Sequence, residues 1–310
     1  MAQRLQEPHR SVGTQIEISA SIAQVWAALV DANELVRWFS PVAKVSPGLD
    51  GHIEVSWGGA MTASWWIEDW QPLHFLQLRE DKPLGGSADG SFGDDLASFR
   101  RLKFALSYDD GRTTLSLRHG DFAGDQSFLA WIKRGWEFEL LSLQHYLVNH
   151  AGKPRRIAWL RRRTLRPAAA VWNQLMQALV VEPNCGRSGL HVRQSVAITL
   201  GAAEIAPGVI VICDPPHQLA VTMADHGGEL LRIKLFVQAD GSVDIDLWMA
   251  AWDNGRPRLA GFARHWKDLF AGAGVELDQR GQDIDQIGGD PICELEGCGQ
   301  SLDANKVELV

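Results

Sequence analysis

The chain has 310 residues, enough for two domains at roughly 150 residues each. Hydrophobic residues make up 45% and charged residues 22%, the balance of a globular chain with sizeable cores. The net charge of −8 excludes the basic surface that nucleic acid requires, and nine acids against two bases in 276–310 supply −7 of it, so the body is near neutral.

The start, "MAQRLQEPHR", lacks an apolar stretch and is not expected to be a secretory signal. Residues 14–19, "TQIEIS", alternate and predict a strand. Ser21 stands as N-cap before a helix carrying Val25, Trp26 and Leu29. "ELVRWF" predicts a second short helix, stopped by Pro41. The runs "HIEVSW", "TASWWIEDW", "HFLQLRE", "FRRLKFALSY" and "RTTLSLRH" predict strands, with Asp109-Asp110-Gly111 as a hairpin turn. From about Gln126 the period becomes helical, with Ile132, Trp136, Leu140, Leu143 and Leu147 on one stripe. A curved antiparallel sheet and one long helix must then cover each other. With thirteen Trp against two Tyr, an aromatic cavity between them is expected, although core filling alone also uses Trp.

The pattern then repeats. Val25-Trp26 aligns with Val171-Trp172, Pro72 with Pro216, Lys103 with Lys234, Gly111 with Gly241 and Trp136 with Trp266. Order is kept and the offset only falls, from 146 to 130 residues, which marks a tandem duplication. The shortening falls between Pro72 and Lys103, where the first copy holds a Gly/Ser/Asp-rich loop over 82–99 with Phe92 and Phe99 inside it. Such a loop is a candidate lid. The expected boundaries are 10–152, 153–275 and a flexible acidic tail over 276–310.

"IEISASIAQVWAALVDANELVRWF", Pro47-Gly48, "TTLSLRHGDF" and "GWEFELLSLQHYL" together resemble the START-like (SRPBCC) helix-grip superfamily, nearest the homologues of the heat-shock-chaperone ATPase activator. The resemblance covers about 14–150 and is much weaker over 155–275. It implies an α+β fold of two tandem helix-grip domains, each a curved antiparallel sheet around a long C-terminal helix. It also implies a hydrophobic ligand site in the first domain only. Trp38, Phe39, Trp57, Trp65, Phe104, Leu117, His119, Phe122, Trp136 and Leu140 are the expected lining, with Phe92 and Phe99 from the loop.

Alternation puts His119 on the face of Leu115 and Leu117, where an imidazole orients a ligand or moves a proton, or simply bonds backbone. The second copy has Met249 at that place. Asp69 shares the parity of Trp65; beside aromatic walls it becomes a candidate general acid, in water an ordinary carboxylate. Glu80-Asp81 carries the same two readings. Cys293 and Cys298 have zinc half-site spacing but no second pair, so no metal or cofactor is expected. The seven bases of "KPRRIAWLRRRTLR" (153–166) read as a linker and first strand whose arginines face solvent or the other domain.

Four cysteines and no signal point to reduced thiols in a cytoplasm. "VAITLGAAEIAPGVIVIC" is broken by Glu204 and Pro207, so no membrane span is expected. A homodimer is compatible with these features. Three functions stand: a binder of a hydrophobic, aromatic or lipid-like small molecule; a cyclase, dehydratase or hydrolase on a polyketide-like substrate, with His119 and Asp69 as catalytic groups; and a chaperone ATPase regulator.

Overall fold

The computed structural model describes residues 10–58, 61–82, 100–122, 126–181, 190–200, 205–223, 228–238, 240–252, 259 and 261–267. The candidate lid, Phe92, Phe99, Cys293, Cys298 and the acidic tail lie outside these residues.

In chain order the first module holds β1 (Arg10–Ile18), α1 (Ile22–Val30), α2 (Ala32–Trp38), β2 (Val42–Ser46), β3 (His52–Gly58), β4 (Met61–Gln71), β5 (Phe75–Lys82), β6 (Arg101–Asp109), β7 (Arg112–Phe122) and α3 (Gln126–Asn149). Ser21 starts α1 with a capping box: its hydroxyl accepts from the Gln24 amide, and the Gln24 side chain accepts from the Ser21 amide. Asp31 ends α1 and caps α2, accepting from the Asn33 amide at 2.7 Å. Between β6 and β7, Asp110 and Gly111 both take positive φ, 43° and 77°, the twist a two-residue hairpin needs. The sheet is antiparallel, in the order β1-β7-β6-β5-β4-β3-β2. The Trp136–Leu140–Leu143–Leu147 stripe of α3 is buried in its core.

The second module repeats the plan with β8 (Arg155–Thr164), α4 (Ala168–Leu179), β9 (Val180–Val181), β10 (Ser195–Thr199), β11 (Ile205–Asp214), β12 (Gln218–Met223), β13 (Glu229–Val237) and β14 (Val243–Trp252). Its order, β8-β14-β13-β12-β11-β10-β9, reproduces that of the first sheet. Val171 and Trp172 are buried on α4 as Val25 and Trp26 are on α1, and Trp266 is fully buried as the counterpart of Trp136. The duplication is therefore present in three dimensions, as an α+β pair of helix-grip modules.

The modules are not beads on a string. Strands β13 and β14 are largely buried on both faces. Leu231, Ile233 and Leu235 of β13 join Trp172, Phe262 and Trp266 in that module's own core. The alternate residues face the first module: Leu230, Trp248, Ala250 and Trp252 belong to the same core as Leu140 and Leu143. What they meet is a second face of α3. Phe138 packs edge-on against Trp248 at 5.1 Å under the Arg232 guanidinium, 4.4 Å from its ring centre. Trp131 touches Phe236 at 5.5 Å. Antiparallel sheets commonly leave one face in water; on the outer side of β13 and β14 the neighbouring module's helix takes its place.

Among the basic residues of 153–166, Arg155 and Arg161 face this junction, Arg161 over the Trp159 ring, and Arg163 pairs with Asp244 at 2.6 Å. Phe138→Ala should cost about 3–5 kcal/mol in urea denaturation, the price of an aromatic lost from a core; a residue on a free helix surface would change stability by under about 0.5 kcal/mol.

Candidate functional site

Along β7, Leu115, Leu117 and His119 point inward and are buried. The next inward residue is Phe122, three positions on rather than two. A bulge makes this possible: Val12 pairs with His119 and Arg10 with Phe122, and Asp121 takes φ 67°. The extra residue turns both rings toward α3. There His119 meets Trp136, whose indole is 5.9 Å from it and 6.2 Å from Phe104. Phe39, just past α2, stacks on the other side of Trp136 at 5.9 Å and 11°, and lies edge-on to Trp57 at 5.2 Å. The Trp38 ring backs Phe39 and is fixed by its own indole N–H donating to the Ala28 carbonyl at 2.8 Å.

The structure thus joins Trp38, Phe39, Trp57, Phe104, His119, Phe122 and Trp136 in one ring-to-ring array, with Leu117, Leu140 and Trp65 in the same core. These rings touch one another, so a bound molecule has to part them. From Phe122 the array continues through Phe128, at 5.6 Å, to Trp131, at 5.9 Å.

Hydrogen bonding fixes the state of His119. The Trp136 Nε1–H donates to His119 Nδ1 at 3.0 Å. Nδ1 is therefore the acceptor, and the proton of the neutral ring sits on Nε2. That Nε2 is buried and has no hydrogen-bond partner among the described residues. Burial, helped by the nearby Arg100 charge, lowers the His119 pKa to about 3, so the ring is uncharged at neutral pH. The Trp65 indole N–H is a second buried donor with no partner among these residues.

Two polar residues come in at the edge of the array: Glu80, one of the candidate acids, and Arg100, which was not among the expected site residues. Glu80 is buried on the face of Leu76 and Leu78, opposite Trp65 in the strand register. Arg100 lies 3.5 Å from its carboxylate, with the guanidinium 5.5 Å from the Phe122 ring centre and 5.9 Å from that of Phe128. Parity was the available signal for both: Glu80 with Leu76 and Leu78, and Arg100 with Leu102 and Phe104 in the run "FRRLKFALSY".

Asp69 goes elsewhere. A bulge in β4 pairs Ile67 with Leu78 but Asp69 with Gln77, and returns Trp70 to the inner face, where it packs edge-on against Trp26 at 5.0 Å. The expected shared face of Asp69 and Trp65 is corrected by that extra residue: Asp69 stands on the outer face, held by Gln71 at 3.2 Å. The same outer face carries a groove of about 490 Å³ lined by Asp50, Trp66, Ile67, Glu68, Gln77 and Arg79, with Glu68 bridging Arg79 at 3.1 Å and Arg101 at 2.8 Å. Among the described residues no three His, Cys, Asp or Glu side chains converge as metal ligands, and no helix is long and apolar enough to cross a membrane.

Sheet, gripping helix and aromatic interior define a class by fold: a pair of tandem helix-grip modules. In the first of them, residues 19–148 match the family described as "Activator of Hsp90 ATPase homolog 1-like protein". No curated protein matches the chain. Among solved structures it is similar to the Aha1 dimer from Colwellia psychrerythraea, at 18% identity and TM-score 0.37, over 46% of this chain and 99% of that one. It is also similar to DynU16, a putative protein of the dynemicin biosynthetic locus, at 14% identity and TM-score 0.38, over 85% and 97%. A third is the di-domain ARO/CYC BexL from the BE-7585A biosynthetic pathway, at 13% identity and TM-score 0.37, over 86% and 95%.

The His119 environment has a pH signature. Its folded pKa is held near 3, below the ordinary 6.5. From pH 6.5 down to 3 the unfolded chain binds a proton that the folded one refuses, so folding stability falls across that window and is unaffected above it. The slope reaches about 1.4 kcal/mol per pH unit. His119→Gln, which keeps an acceptor for Trp136, should lose less stability than wild type between pH 7 and pH 4.5 in urea titrations.

Proposed function

We propose that the first module binds a small, ring-bearing apolar molecule that carries an oxygen acceptor, and that His119 Nε2–H donates to that oxygen. The supporting observation is the buried Nε2 with no partner inside an aromatic enclosure. Leaving a buried donor unmade costs about 1–3 kcal/mol, and a ligand acceptor recovers it. Aromatic side chains supply the apolar contact area, and few polar groups set the orientation, as in most small-molecule sites.

A proton-abstracting role for His119 has less support. Nδ1 already accepts from Trp136 and Nε2 already carries the proton, so no lone pair is open to take another. A pKa near 3 also lies far from that of an effective base at neutral pH. Asp69, on the outer face, stands apart from the array. In this reading His119 recognises rather than reacts. Met249 replaces it in the second module, fully buried within that core, so the binding role falls to the first module alone.

Two ligands of nearly equal shape test this: 2-acetylnaphthalene, with a carbonyl acceptor, and 2-ethylnaphthalene, without one. Titrated against tryptophan fluorescence, the wild type should prefer the ketone by up to about tenfold, the worth of one net hydrogen bond. His119→Phe should erase the preference while still binding the hydrocarbon. Equal affinities in the wild type, or no saturable binding of either, would overturn the reading.

A further inference from the structure

Phe39, one wall of the aromatic array, follows directly on the last residue of α2. The final carbonyls of a helix have no partner within it and carry the negative end of its dipole. At α2 these acceptors are met largely from the second module. The Arg37 carbonyl accepts from the Trp252 indole N–H at 3.0 Å. The Trp38 carbonyl accepts from Ser142 of α3 at 3.0 Å and also from the Arg155 guanidinium.

Arg155 is an expensive residue to keep there. It is buried, its Nε and Nη2 have no hydrogen-bond partner among the described residues, and burial lowers its pKa to about 9. Its nearest ring is Trp248, 5.8 Å away. Trp252 is itself held rigidly, stacked on His150 at 4.5 Å and 2°. Glu139 lies near enough to offset part of that lowering, and replacing such buried charges together by apolar residues is often neutral or stabilising, whereas removing one partner alone is not. The hydrogen bond Arg155 makes goes to a helix-end carbonyl one residue before a ligand-facing ring.

We infer that Arg155 and Trp252 are positioning residues: the second module clamps the end of α2 and so sets the Trp38–Phe39 wall against Trp136 and Trp57, tuning ligand affinity without touching the ligand. This rests on the binding reading above for its ligand, but the clamp itself is measurable without one.

The test uses the full chain with Arg155→Met, Trp252→Phe and the double variant, each keeping most of the apolar bulk. The control is Arg134→Ala, which breaks the interface bridge to Asp214 and leaves α2 alone. Two quantities are read: amide hydrogen exchange over residues 35–41, and affinity for 2-acetylnaphthalene. In the double variant, exchange should rise and affinity fall, each by about fivefold or more. Arg134→Ala should move neither quantity.

Unchanged exchange in the double variant would overturn the clamp, as would equal loosening in Arg134→Ala. Faster exchange with unchanged affinity would overturn the positioning role. If the wild type fails to bind the ketone at all, the binding reading falls while the exchange comparison still decides the clamp.

Discussion

Helix α3 is buried on two sides, and most of the architecture answers to that. One stripe, Trp136 to Leu147, closes the first module's core, while Trp131 and Phe138 press into the second sheet. A helix so placed has little surface left for charge, and the charges that remain are held in company. Arg232 reaches both Glu139, at 3.6 Å, and Asp246, at 3.3 Å, and the Trp159 indole also donates to Asp246. Lys234 lies over the Trp131 ring at 4.6 Å, beside Gly135, where a larger residue would approach its amine. Burial pushes Glu139 up and Lys234 down, each to about 7. The junction is thus sealed by apolar area and kept in register by a small polar network, in which each ion depends on its neighbours.

The same helix carries chemistry on its inner stripe. Trp136 is at once a core residue and the group that fixes the His119 tautomer. An indole can only donate, so its presence at Nδ1 decides that the free edge of the imidazole is also a donor. A Phe at that position would fill similar space and leave the ring orientation undetermined. The hydrogen-bonding character of this interior is therefore set by the donor character of one packing residue.

Much of this was legible in the one-dimensional pattern, and the failures have physical causes. Alternation and turn chemistry located six of the seven strands of the first sheet, because each of them faces one core, and missed the short edge strand β2, whose residues are largely exposed; the three- and four-residue steps located α3. His119 was placed correctly by parity, since β7 is regular up to that point. Asp69 was misplaced by the same rule, because a single inserted residue in β4 reverses every later side chain. Phe138 lies off the stripe that marked α3 as amphipathic, and nothing local distinguishes a second buried face from an exposed aromatic. Its partners, Arg232 and Trp248, lie about a hundred residues away in the chain. The hydrogen bonds at the end of α2 escaped for a similar reason: they join backbone atoms to side chains of another module, and backbone acceptors leave no mark on composition.

The two-faced second sheet has a consequence for how such a chain changes over generations. With Leu230, Trp248 and Trp252 on the outer face of β13 and β14, a copy released from its neighbour would expose them to water. A descendant gene carrying only the later half would begin life as an aggregating product, so selection would hold the halves in one reading frame. Duplication began as redundancy and turned, through packing alone, into a ratchet.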